Sequence, residues 1–215
     1  RGVQDDKGPS LAALYAVKSL LDQGLVFTKR IRFIFGTDEE TLWRCMNRYN
    51  QLEEKADLGF APDSSFPLTY AEKGLLQVKL HGPGWEDLSL QAGRALNVVP
   101  DKATYKGQRL EELLPVIEQS GVNYTEEAGA VTVLGLSKHS KDAAEGVNAI
   151  VGLAESLSLI QPHPALLFIA DAVGEDATGA ALFGEIKDEP SGALSFNIAT
   201  LFIDEERSEI GIDVL

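Results

Sequence analysis

An apolar run, Ile31-Arg32-Phe33-Ile34-Phe35, that ends in Gly36-Thr37-Asp38-Glu39-Glu40 constrains this chain more than any other feature. A strand that delivers acids into a Gly-Thr turn puts carboxylates where a buried strand meets solvent. In open α/β sheets the carboxyl ends of strands are where sites are built. Two further acidic loops accompany it, Asp5-Asp6-Lys7-Gly8-Pro9 upstream and Gly59-Phe60-Ala61-Pro62-Asp63 downstream. Three acidic clusters on three strand ends can converge on one cation or on two, and this pattern reads as a metal site.

The periodicities around those loops alternate. Leu11, Leu14, Val17, Leu20 and Leu21 predict a helix over residues 10–23, stopped by Gly24. Residues 30–35 read as a buried strand and 41–50 as a helix. Residues 51–59 continue as acid-rich helix or loop, and Phe60 opens a short extended piece. This order is that of a parallel α/β sheet. Near residue 70 the character changes. Strands are expected over residues 74–81, 88–99, 131–136, 192–198 and 200–212, and helices over 108–119 and 142–159; residues 165–172 are apolar without a clear period. That mixture suggests an α+β domain of ferredoxin-like type.

Composition narrows the classes of partner. The net charge of −14 argues against nucleic acid and against an anionic membrane surface. No run reaches the roughly 18 apolar residues of a spanning helix. Cys45 is the one cysteine, so neither an intrachain disulfide nor a cysteine-based zinc site can form. Its place in a helical pattern reads as a core position. A soluble cytoplasmic enzyme is the expectation.

Carboxylates hold zinc through oxygen, and paired metals about 3.5–4 Å apart need bridging and terminal ligands. By spacing alone, however, Glu39-Glu40 reads first as a solvated charge pair, because acidic turns are common. The motifs carry more. Gly2-Val3-Gln4-Asp5-Asp6-Lys7-Gly8-Pro9, Gly36-Thr37-Asp38-Glu39-Glu40 and Gly59-Phe60-Ala61-Pro62-Asp63 resemble the di-zinc dipeptidases of the PepV and carnosinase (Xaa-His dipeptidase) type. These stand in the wider group of aminoacylase and carboxypeptidase G. Tyr70-Ala71-Glu72-Lys73-Gly74, Asn97-Val98-Val99-Pro100-Asp101 and His139 followed by Glu145-Gly146-Val147-Asn148 extend the match in the same order.

The resemblance implies a partial parallel-sheet zinc-peptidase catalytic domain over residues 1–71. An incomplete ferredoxin-like α+β lid domain follows over 72–215. It implies two zinc ions, with Asp5 bridging them, Glu40 on one and Asp63 on the other. Glu39 would be the general base, His139 would stabilise the oxyanion, and Asn97 would hold the dipeptide substrate. The family also carries a His-x-Asp segment before the Asp-Asp-Lys-Gly loop, a late histidine ligand and an arginine for the substrate carboxylate. None of these is in this sequence. The chain is therefore expected to be an internal fragment of a dipeptidase, inactive alone. An N-acyl amino acid deacylase is the nearest enzymatic alternative, and a non-catalytic lid or interaction module is the alternative from another class. His81, beside Gly82-Pro83-Gly84, and His163, between prolines, read as turn residues; Glu111-Glu112 reads as a solvated helix face and Asp204-Glu205-Glu206-Arg207 as a hairpin tip.

Overall fold

The computed structural model describes residues 2–39, 43–64 and 67–215. It is a mixed α/β protein of two compact units, Arg1–Tyr70 and Ala71–Leu215.

The first unit is built on two helices. Helix α1 (Lys7–Asp22) begins where Pro9 can sit without cost, because first-turn N–H groups have no intrahelical acceptor. Helix α2 (Arg44–Leu52) follows the acidic turn. The strand expected over residues 30–35 does not form. The reason lies in hydrogen bonding: a strand persists only when neighbours pair its backbone, and among the described residues no segment of this unit ladders with it. The expected parallel sheet is absent from these residues for the same reason. Side chains tie the segment down instead. Arg32 donates to the Tyr49 hydroxyl at 2.6 Å and to the Glu54 carbonyl at 2.8 Å, and Arg30 meets Glu54 at 2.6 Å. Phe33 and Phe35 stack with centroids 6.4 Å apart, as i and i+2 residues of an extended chain do. No described residue of this unit is fully buried, and the extended piece expected from Phe60 is irregular.

The second unit holds the hydrophobic core. Its main sheet has the order β1-β9-β8-β2, all antiparallel, from β1 (Leu76–Pro83), β2 (Leu90–Ala92), β8 (Phe196–Ile203) and β9 (Arg207–Val214). A second sheet, ordered β3-β5-β4, is made by β3 (Lys102–Tyr105), β4 (Tyr124–Glu127) and β5 (Ala130–Leu134); β6 (Lys187–Asp188) and β7 (Gly192–Ala193) form a short hairpin. Helix α3 (Leu110–Ser120) and helix α4 (Ala149–Ser158) pack with these sheets. Ile150, Leu153 and Leu157 of α4 join Leu113, Ile117, Val131, Val133, Ile198 and Leu201 in one cluster, each at most 2% exposed. Burying such a side chain contributes about 1.5–3 kcal/mol.

Three expectations are corrected here. The strand over 88–99 shrinks to Leu90–Ala92, because Gly93 turns away at φ +76 and a Cβ there would lie 2.0 Å from the Ala199 carbonyl oxygen. The strand over 200–212 is split by a turn, at the hairpin tip expected over residues 204–207: Asp204 accepts from the N–H groups of Glu206 and Arg207 at 2.9 and 2.8 Å. The helix over 142–159 is two pieces, a 3-10 turn (Ser140–Glu145) and α4. Val147 exchanges both backbone bonds with Leu136, at 2.9 and 3.0 Å, and so cannot continue a helix. Asn148 then caps α4 by accepting from Ile150 and Val151.

Candidate metal centre

The three acidic loops meet in the first unit on one cleft of about 1010 Å³. Asp5 and Asp6 enter from the start of α1, Glu39 from the turn before α2, and Asp63 from the Gly59-Phe60-Ala61-Pro62 loop. Asp5, Glu39 and Asp63 are exposed, and Asp6 is half-buried. Glu40 lies outside the described residues.

Local chemistry explains how each loop is held. Gly8 donates to the Val3 carbonyl at 2.6 Å, and a Cβ at Gly8 would lie 2.7 Å from that oxygen. Only glycine allows the backbone to close there. Asp6 takes the N-cap position of α1, yet its Oδ2 accepts from Ser10 Oγ at 3.0 Å rather than from a backbone N–H. Its Oδ1 is buried with no hydrogen-bond partner among the described residues. Asp38, not singled out in the sequence, anchors the turn that bears Glu39. It accepts from Arg44 N at 2.9 Å and from the Arg44 guanidinium at 2.8 and 3.1 Å. That hydrogen bond also raises the Arg44 pKa. Spacing alone gave no signal for this anchor, because Arg44 meets Asp38 only once the start of α2 is formed. Cys45, expected in a core, is half-buried on the cleft wall beside Met46.

A cleft lined by carboxylates with one orphaned buried carboxylate oxygen suits a hard or borderline cation in donor chemistry. Among the described residues, though, no three His, Cys, Asp or Glu side chains lie close enough together to hold a metal ion. The oxygen donors fit, and a closed ligand set is not assembled from the described residues alone.

The other two candidates lie in the second unit, and they are neighbours. Residues Val98 and His139 form an antiparallel bridge, and the Asn97 carbonyl accepts from Ser140 N–H at 2.9 Å. Both side chains are exposed. His139 caps the 3-10 turn, its Nδ1 accepting from Lys141 N–H at 3.2 Å. In the neutral ring that bond leaves Nε2 as the nitrogen that carries the proton and can donate. His163, read as a turn residue, is the buried N-cap before Pro164: its Nδ1 accepts from Ala165 N–H and its Nε2 donates to the Pro83 carbonyl. His81 sits on β1 at 3.6 Å from Glu209.

Residues 1–162 match the family model described as Peptidase family M20/M25/M40. The chain belongs to this metallopeptidase family. Among its M20 relatives, a Bacillus subtilis (strain 168) protein described as "Putative dipeptidase YtjP" is 36% identical over 238 aligned residues. The alignment covers 100% of this chain and 51% of that protein. A Staphylococcus aureus (strain MW2) protein described as "Putative dipeptidase MW1694" is 35% identical over 232 residues, covering 97% of this chain and 50% of the relative. The chain thus spans about half the length of the curated relatives it matches. Among the described residues no helix is long and apolar enough to cross a membrane.

Proposed function

We propose that the whole protein is a zinc-dependent dipeptidase and that residues 1–71 belong to its catalytic domain, residues 72–215 to its lid. The observation that carries this reading is the convergence of Asp5, Glu39 and Asp63, from three separate segments, on one cleft of a chain in the M20 family. The relatives' descriptions supply the dipeptide as substrate class. Asp5, Glu40 and Asp63 would hold the two zinc ions, and that metal would supply polarisation of the scissile carbonyl and a lowered pKa of water. Glu39 takes the proton from the attacking water and returns it to the leaving amine. His139 donates from Nε2 to the oxygen on which negative charge develops, and Asn97 holds the substrate. The parallel sheet of the catalytic domain and the ferredoxin-like form of the lid belong to this proposal, as does a cytoplasmic location.

Three measurements test it. In the whole protein, Glu39→Ala should lower dipeptide hydrolysis by about 10²–10⁴-fold with zinc content unchanged; activity surviving that change would remove the base assignment. Assay of N-acetyl amino acids beside dipeptides separates the peptidase from a deacylase. The 215-residue chain should hold zinc weakly when dialysed against trace metal, since its described residues do not assemble three ligands. Two tightly bound ions per chain would contradict that and point to replacement ligands.

A further inference from the structure

A row of polar side chains crosses the main sheet of the second unit. Asp213 on β9 is the register partner of both Gln77 on β1 and Asn197 on β8. Directly opposed residues of antiparallel strands project from the same face. Asp213 is 0% and Asn197 2% exposed, between Ile212 and Val214 and between Phe196 and Ile198. Buried polar groups in such surroundings are costly unless every bond is made. Here they are made, and the partners are the two loops that carry His139 and Asn97.

Asp213 accepts from Gln77 Nε2 at 3.1 Å through Oδ1, and from Ser140 Oγ through Oδ2. Ser140 follows His139 directly and is itself fully buried. Its N–H donates to the Asn97 carbonyl, and its own carbonyl accepts from Ser195 Oγ. Every polar group of Ser140 is thereby fixed. Asn197 holds the other loop: its Nδ2 donates to the carbonyls of Leu96 and Val98, at 3.3 and 3.0 Å. Those are the two residues flanking Asn97. Asn197 Oδ1 in turn accepts from Asn148 Nδ2 at 3.2 Å.

We propose that Asp213 and Asn197, adjacent on one cross-strand row, are positioning residues that set His139, through Ser140, and Asn97 in fixed register with each other. The inference rests on the reading that His139 and Asn97 serve hydrolysis. Neither Asp213 nor Asn197 touches the substrate in this account. A rigid sheet supplies the support that exposed loops lack, and misplacement by about 1 Å costs on the order of a hundredfold in rate.

The test uses Ser140→Ala and Asp213→Asn, each alone and combined with His139→Ala, in the whole protein. His139→Ala alone tests the underlying reading: unchanged kcat would discard the role of His139 and leave the geometry of the row untouched. If His139→Ala is damaging, Ser140→Ala and Asp213→Asn should each lower kcat about ten- to a hundredfold with KM little altered. Added to His139→Ala they should lower it no further. Ring NMR of the 215-residue chain, with three histidines, should show the His139 resonance moved or broadened while that of His163 stays in place. A lowered Tm with unchanged kcat and an unmoved His139 resonance would mean the row is only structural, and would overturn the proposal. Additive losses in the double variants would overturn it as well. If Asp213→Asn fails to fold, Ser140→Ala, which removes one oxygen, decides alone.

Discussion

His163 shows how much one residue's surroundings change its meaning. The ring is 0% exposed, lies edge-on to Trp85 and has both nitrogens engaged. Burial holds it below its ordinary pKa of 6.5, against the Pro83 hydrogen bond, which works the other way. Because the folded value is the lower one, the unfolded chain takes up this proton first as pH falls. The stability that neutral His163 confers is therefore complete above pH 6.5, declines as pH falls from 6.5 towards the folded value, and is fully lost below it. Urea midpoints measured downwards from pH 7.5, and stopped above the carboxylate range near 4, should fall in the wild type. In His163→Gln that slope should flatten. Glu155, raised by burial and by Glu175, pulls in the opposite direction, so its Glu155→Gln variant should show the steeper acid loss. At the candidate centre the sequence offered Asp5, Glu39 and Asp63 as candidates, and the structure brings the three to one cleft. Asp38 was not legible as the anchor of the Glu39 turn, because its partner, Arg44, is fixed only once α2 is formed.

Among the elements, α4 is the most dependent on its context. Its apolar residues were visible as a period, but where it starts was not. Val147 is taken by Leu136, and Asn148 both caps the helix and reaches β8 through Asn197 and the Ile198 carbonyl. Asn148→Ala should cost about 1 kcal/mol for the cap and a further ~1–3 kcal/mol for buried acceptors left unpaired, read from urea denaturation. Leu153→Ala, at 1% exposure in the core, should cost about 2–5 kcal/mol. If Asn148→Ala proved neutral, the link between α4 and the polar row would be without energetic consequence. The segment over residues 30–35 makes the reverse case. Its alternation and apolarity announce a strand, yet pairing is a property of two segments, and propensity in one cannot supply the other.

At the scale of the whole molecule, the buried residues among those described all lie from Leu88 onwards. Native-state hydrogen exchange on the 215-residue chain should therefore find its slowest amides in β8, β9 and α4. Those of α1 and α2 should exchange near the rate set by local fraying. Equal protection in both units would contradict the distribution of buried surface described here. The sequence by itself determined the helical and strand periods, the change of character near residue 70, and the three acidic loops. Those are local: each is written in consecutive residues or in fixed short spacings. Only the tertiary structure decided which strand pairs with which, that β9 and β8 lie together at the centre of the main sheet, and that Asp213 and Asn197 face each other beneath the loops of His139 and Asn97. The meeting of Asp5, Glu39 and Asp63 on one cleft was expected from the three acidic loops, and the structure supplies its geometry. Strand order and register depend on contacts between residues far apart in the chain, and hydrophobic pattern and propensity carry no information about them.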